Sequence, residues 1–448
     1  MMLLAAPAAA AADARDPAAW INAANATAER VADPVLGGQL MLYRAGAADG
    51  EPVLLIHGLG QNGARDWARI IPALAPGHAV YALDLPGFGQ SDQGDRPYTP
   101  ENYVRVIEQA VAPRIGRPFH LVGHSMGAAI AMAYAAAHPD RVKTLTLADM
   151  AGVLLGPVYA AELAKFGIER KTGAAEGDPW VDRAVNWMMS RIEGMAFSGD
   201  MVLHTPLLRL KVLRGDPNLI AGFALGHHDF SKALRSIGLP TLLIWGSEDR
   251  IAPVRTAQLA AAIIPDARLE LLAGAAHVPM ADVPARFNEL LLAHLAGVPS
   301  PEPVPVRTGP LEGRPQACSG QQGARYSGDI PTLTLTNCSG VQISGARIGA
   351  LRVTDSDVEL LNTQVTGGIH ARRSRVQLTG GSVAGAPPLS LEASEVDAAG
   401  TRFEPDRELA VNLGQVPVDV KLSVAELKRG AATKYLHEVL RLEPRDPP

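Results

Sequence analysis

Cysteine is nearly absent from this 448-residue chain: Cys318 and Cys338 are the two, both in the last third. Two thiols without a neighbouring histidine cluster cannot fill a tetrahedral metal shell, so no metal centre is expected. Their closeness in sequence allows a disulfide, with two buried thiols as the alternative. Aromatic residues are scarce at 5% and charged residues make up 19%, against 47% hydrophobic. No apolar run approaches the roughly 18 residues that cross a bilayer. Nor is there a basic excess. Lys and Arg number 41 against 46 Asp and Glu, for a formal charge of −5. That balance argues against nucleic acid or an anionic membrane as partner. The phosphate-cradling Gly-x-x-x-x-Gly-Lys and the nicotinamide fingerprint are missing too, so no cofactor is expected.

What is present fills two domains. Residues 1–20 open with Met1-Met2-Leu3-Leu4 and an alanine tract to Ala12, with A-x-A triplets before Asp13. This matches the apolar core and cleavage region of a signal peptide without its basic leading segment. A periplasmic or secreted location is expected, with a cytoplasmic one as the alternative. From about residue 38 to 297, short apolar runs alternate with helical patterns. The runs Val53–Ile56, Ala79–Leu83, Thr144–Leu147, Thr241–Trp245 and Leu269–Leu272 suit strands buried on both faces. That is the signature of an α/β domain with a mostly parallel sheet. Between about 150 and 236 the alternation gives way to helical patterns, read as a cap, where Trp187 is a candidate pocket residue.

Residues 298–316 carry Val298-Pro299-Ser300-Pro301-Glu302-Pro303 and read as a semi-rigid linker. Over 317–414 a valine recurs every 17 to 20 residues, at Val341, Val358, Val376 and Val396. A β-prone repeat of this length points to a small all-β, parallel β-helix-like domain. Evenly spaced antiparallel hairpins are the alternative. Residues 415–448 are read as a C-terminal helix and tail, with Val424, Leu427, Ala431, Tyr435, Leu436 and Val439 as its apolar positions.

Gly123-His124-Ser125-Met126-Gly127 carries the most chemistry. An apolar run, Phe119–Val122, precedes it and a small-residue helix follows. A strand turning sharply into a helix lifts the serine above the sheet, and the flanking glycines make room for the crowded backbone. The helix N-terminus presents N–H groups and a positive dipole end where an oxyanion would form. A serine hydroxyl is a weak nucleophile and needs a base, itself oriented by an acid. Both should follow Ser125 at the ends of later strands. Asp249 lies just past Thr241–Trp245, and His277 past Leu269–Leu272.

Taken with His57-Gly58-Leu59-Gly60 and Asp84-Leu85-Pro86-Gly87-Phe88-Gly89-Gln90-Ser91, these motifs make residues 38–297 resemble the α/β-hydrolase superfamily, in its esterase-like branch with a helical cap. The resemblance implies Ser125 as nucleophile, His277 as base and Asp249 as acid, with an oxyanion hole from the backbone N–H groups of Leu59 and Met126. It covers a little over half the chain. Asp149 stands at the other place where this fold can hold its acid, and Glu248 is adjacent to Asp249. His124, His227 and His228 are alternative bases or pocket residues. His57 reads as structural, and Asp84 as a turn cap. A serine at the nucleophile position implies acyl transfer onto a small-molecule ester, with amide, lactone or carbon–carbon bond hydrolysis as the alternatives. A second function is binding of a glycan or protein partner by the β domain. Arg372, Arg373 and Arg375 could face such a ligand, although such clusters are usually solvated turns.

Overall fold

The computed structural model describes residues 20–22, 24–172, 181, 184, 206–298 and 309–444. The signal-like start, most of the proline-rich linker and Trp187 lie outside the described residues. Eight strands form the first sheet: β1 (Thr27–Ala32), β2 (Gln39–Gly46), β3 (Glu51–Ile56), β4 (His78–Asp84), β5 (Phe119–His124), β6 (Val142–Ala148), β7 (Thr241–Gly246) and β8 (Ala267–Leu272). Their order is β1-β2-β4-β3-β5-β6-β7-β8. β1 and β2 enter antiparallel, and all later neighbours are parallel. β5 is buried along its whole length, as a strand covered by helices on both faces must be.

One helix, α1 (Met126–Ala137), follows β5 directly, and its nine buried positions are mostly alanine, glycine and methionine. Small side chains let it lie close against the sheet. Between β6 and β7 stand α2 (Gly156–Thr172), α3 (Pro206–Leu213), α4 (Pro217–His227) and α5 (Ser231–Arg235). Asp216 caps α4 by accepting from the N–H groups of Asn218 and Leu219, which removes two of the orphan donors of its first turn. After β7 comes α6 (Val254–Ile263).

The second domain is built of parallel rungs. β9 (Val341–Ser344), β10 (Asp357–Leu361), β11 (Arg375–Thr379) and β12 (Glu395–Ala399) stack side by side. Val341, Val358, Val376 and Val396 are direct partners along that column. The repeat in the sequence is therefore the length of chain in one β-helix-like coil, and the hairpin alternative is excluded for this column. Those valines form one dry core with the inward leucines and isoleucines of the other columns. Cys318 and Cys338 are joined in a disulfide across the first coils.

The expected C-terminal helix is not there. Val418–Arg429 (β13) and Ala432–Leu442 (β14) form an antiparallel hairpin instead, and β13 extends the column of parallel rungs. A tight turn at Gly430, with φ of 58°, reverses the chain. The register shifts between Leu422 and Ala425, where Val424 takes a φ of 52°. A bulge breaks period-2 alternation by one residue, which left Val424, Leu427 and Ala431 at a spacing that mimics a helix.

The two domains share a seam. Arg255, in the first turn of α6, places its guanidinium in the β domain. It meets both carboxylate oxygens of Asp397 at 2.5 and 3.0 Å, Thr379 Oγ1 at 3.0 Å and the carbonyl of Leu378 at 3.0 Å. Gln377, with its amide oxygen turned inward, adds two more acceptances at 3.0 Å. Ser423 Oγ accepts from the N–H of Leu155 at the root of the cap, and Arg235 lies 3.9 Å above the Tyr435 ring. Ala399 and Val424 belong to the hydrolase-side core cluster. Among the exposed arginines of the β domain, Arg373 is bonded to Asp355 and Arg372 to Glu392, which makes those two a solvated ion-pair row.

Candidate active site

Ser125 sits at the junction of β5 and α1 with φ 53° and ψ −119°. A non-glycine residue there costs roughly 1–3 kcal/mol and persists only when its surroundings enforce it. The enforcing geometry comes from the two glycines. A Cβ on Gly123 would lie 2.4 Å from the carbonyl oxygen of Gly127, and one on Gly127 would lie 2.3 Å from that of His57. Neither position has room for any side chain. The elbow is thus packed against the strand end that carries His57 and Gly58.

His277 joins the serine to a carboxylate. Its Nε2 lies 3.0 Å from Ser125 Oγ, and its Nδ1 lies 2.8 Å from Asp249 Oδ2. The other oxygen of Asp249 accepts from the N–H groups of Ile251 and Ala252 at 2.7 and 2.9 Å. Burial pushes this carboxyl up, but the bonds from His277 and Asp149 outweigh it, and the group is held below the usual carboxylate range. Asp149, fully buried beside it, behaves oppositely: desolvation first, then the neighbouring Asp249, raise it well above that range. Burial thus favours the neutral form of Asp149, while His277 favours the ionised form of Asp249. Asp149 also accepts from the N–H of Gly246 at 3.0 Å, tying β6 to β7 behind the acid.

Ligand atoms of Asp149, Asp249 and His277 lie within 4.8 Å of one another, the spacing of a cation site. Both ring nitrogens of His277 are already committed, to Ser125 Oγ and to Asp249 Oδ2. The donor chemistry fits a hydrogen-bonded relay better than a metal.

The remaining candidates separate clearly. His124 Nε2 lies 2.6 Å from the carbonyl oxygen of His277, and burial drives its pKa down to about 3. A neutral ring that donates to that carbonyl steadies the backbone of His277. His57 Nε2 accepts from the N–H of Leu85 at 2.9 Å, so its proton sits on Nδ1 and is donated to the carbonyl of Gly58 at 2.6 Å. Asp84 accepts from Tyr43, Ala64 and Gln90, which fixes the turn that follows β4. His227 bonds back to the carbonyl of Phe223, and His228 pairs with Glu101. Neither histidine shares a recorded hydrogen bond with Ser125, Asp249 or His277. Leu59 is partly exposed at the loop after β3, and Met126 opens α1, where a first-turn N–H has no intrahelical acceptor. The upward-pushed pKa of Asp149 is what sequence reading missed. Its place after β6 marked it as an acid candidate, while its proton depends on how deeply the fold buries it.

A strand-elbow-helix serine, a histidine and a carboxylate, set at the carboxyl ends of a mixed eight-stranded sheet, define a hydrolase of the α/β class. The model of the alpha/beta hydrolase family matches residues 53–290, and the chain belongs to that family. An uncharacterised protein of Mycobacterium tuberculosis is 30% identical over 263 residues, spanning 55% of this chain and 75% of the relative. Lipase 1 of Psychrobacter immobilis is 29% identical over 249 residues, 55% of this chain and 77% of the lipase. The 2-hydroxy-6-oxononadienedioate/2-hydroxy-6-oxononatrienedioate hydrolase of Cupriavidus pinatubonensis is 28% identical over 261 residues, 55% and 88% respectively.

Proposed function

We propose that this protein is a cofactor-independent serine hydrolase of carboxylic esters, working by acyl transfer through Ser125, His277 and Asp249. The carrying observation is the unbroken series of two hydrogen bonds from Ser125 Oγ through His277 to Asp249. His277 Nε2 takes the hydroxyl proton as Oγ attacks the ester carbonyl. The backbone N–H groups of Leu59 and Met126 receive the oxyanion. Collapse expels the alcohol, which takes its proton from His277, and a water activated by the same ring then releases the acid. Asp249 holds the ring's orientation and stabilises its charged form. The likeness to a lipase supports an ester substrate.

Carbon–carbon bond hydrolysis is the second reading. The relative from Cupriavidus is named for a keto-diacid that contains no ester link, so its hydrolase has a carbon–carbon bond to cleave. Turnover of p-nitrophenyl esters from acetate to palmitate separates the two. Turnover with a chain-length optimum, together with fluorophosphonate labelling located on Ser125 by mass spectrometry, is the expected result. No ester turnover would move the assignment to the second reading, and no label on Ser125 would remove the nucleophile.

The two aspartates make opposite predictions. Asp249→Asn should lower kcat by about 10⁴-fold, the loss seen when a triad acid can no longer hold the correct histidine tautomer. Asp149→Asn keeps a neutral side chain in place and should stay within about tenfold of wild type. Stability tells them apart as well. A carboxyl depressed by folding, Asp249, stabilises above its unfolded pKa near 4 and loses that contribution as the pH falls through its lower folded value. A raised one, Asp149, stabilises most below that unfolded value and progressively less as the pH rises toward its folded value. Melting temperatures of Asp149→Asn should therefore gain on wild type from pH 4 upward. Parallel curves would show that Asp149 is not held protonated.

The disulfide and the alanine-rich start together support export to an oxidising compartment. Intact-mass analysis of the mature protein from its native host tests that reading.

A further inference from the structure

Along the β-helix-like column, Gln342, Glu359, Gln377 and Asp397 are direct partners on four adjacent strands, about 4.8 Å apart. The last two are consumed by Arg255. The first two, with Ser344 beside them, remain exposed. They form the floor of a cleft of about 530 Å³ between the domains, with the loop after β7 as one wall and the cap helix α2 facing the floor. That volume lies within the range of small-ligand sites, which favour domain interfaces.

The lining narrows the ligand class. Glu162, Asp249 and Glu359 are the acids of the lining, and Lys165, Arg250 and Arg255 match them in number. A phosphate or an ammonium compound gains nothing from a balanced field. Among the described residues no aromatic ring lines the cleft, so they give a nucleobase nothing to stack on. Amides and a serine hydroxyl offer donors and acceptors in equal measure, which a hydroxyl group, itself both donor and acceptor, satisfies best.

We infer that this cleft is a binding site for a neutral, hydroxyl-rich ligand of the saccharide class. Asp249 and Ser247 lie on its wall, so the bound saccharide sits against the carboxylate that orients His277. The site then holds the carrier whose acyl groups the hydrolase removes. That last step rests on the acyl-transfer reading, whereas the binding itself does not.

The test uses the full chain with Ser125→Ala, so that binding is read without turnover. Calorimetric titration is run with cellohexaose, xylohexaose, maltohexaose and chitohexaose, with hexagalacturonate and hexaglucosamine as the anionic and cationic comparisons. The expected result is saturable binding of at least one neutral hexasaccharide, weakened more than about tenfold by Gln342→Ala with Glu359→Ala. With Ser125 restored, the same double variant should hydrolyse p-nitrophenyl acetate within about twofold of wild type but lose its KM advantage on the acetylated form of that saccharide. Binding by none of the neutral sugars, binding only by the charged ones, or binding that survives the double variant would overturn the site. Binding without deacetylation would keep the site and remove its link to acyl transfer.

Discussion

Ser125→Ala is expected to lower kcat on the best p-nitrophenyl ester by about 10⁴- to 10⁶-fold, while the protein stays folded. The loss is this large because no other hydroxyl shares a hydrogen bond with His277 among the described residues. On the proposed acyl-transfer route, removing Oγ removes the covalent step itself rather than weakening it. The fold should tolerate the change. The left-handed backbone at position 125 is imposed by Gly123, Gly127 and the strand end at His57, and alanine meets the same torsional cost as serine. Stopped-flow kinetics would show the initial burst of p-nitrophenol disappear with the side chain. A residual rate within about a hundredfold of wild type would mean that water, not Ser125, attacks the substrate.

The second large effect lies at the seam. Arg255→Ala leaves Asp397, 7% exposed, as an uncompensated buried carboxylate. Breaking one partner of such a pair costs about 3–5 kcal/mol. Differential scanning calorimetry should therefore show a transition lower by roughly 6–20 °C, taking 2–4 °C per kcal/mol for units of this size. Asp397→Asn with Arg255→Met removes both charges and should recover most of the loss, since an apolar replacement of a buried pair is often neutral. A single Arg255→Ala variant that melts like wild type would show that the pair contributes nothing to holding the domains together.

The catalytic half of the molecule was readable because its chemistry is tied to short local patterns. A buried strand, a glycine-flanked serine and a small-residue helix specify the elbow at Ser125 without outside help. Asp249 and His277 follow from the rule that loops at the carboxyl ends of strands converge. The repeat of valines likewise marked the length of chain in each coil. Three features escaped, the first to a local bulge and the other two because they depend on partners remote in sequence. The β13–β14 hairpin was misread as a helix because the bulge between Leu422 and Ala425 scrambles the alternation that marks a strand. The upward shift of Asp149 arises from depth and from Asp249, one hundred positions away. Arg255 gave no signal either, since an arginine in a helix's first turn reads as solvated until Asp397 is seen beside it.

The seam also bears on how such a chain can be taken apart or recombined. The proline-rich stretch marks where the polypeptide crosses from one unit to the other, yet Ala399 and Val424 complete the hydrolase-side core and Arg255 completes the β domain. A cut or a domain exchange placed at the linker would leave apolar surface bare on one fragment and a stranded carboxylate on the other. The two halves are structurally complete only as a pair, and a foreign hydrolase grafted onto these coils would need its own arginine at the head of α6.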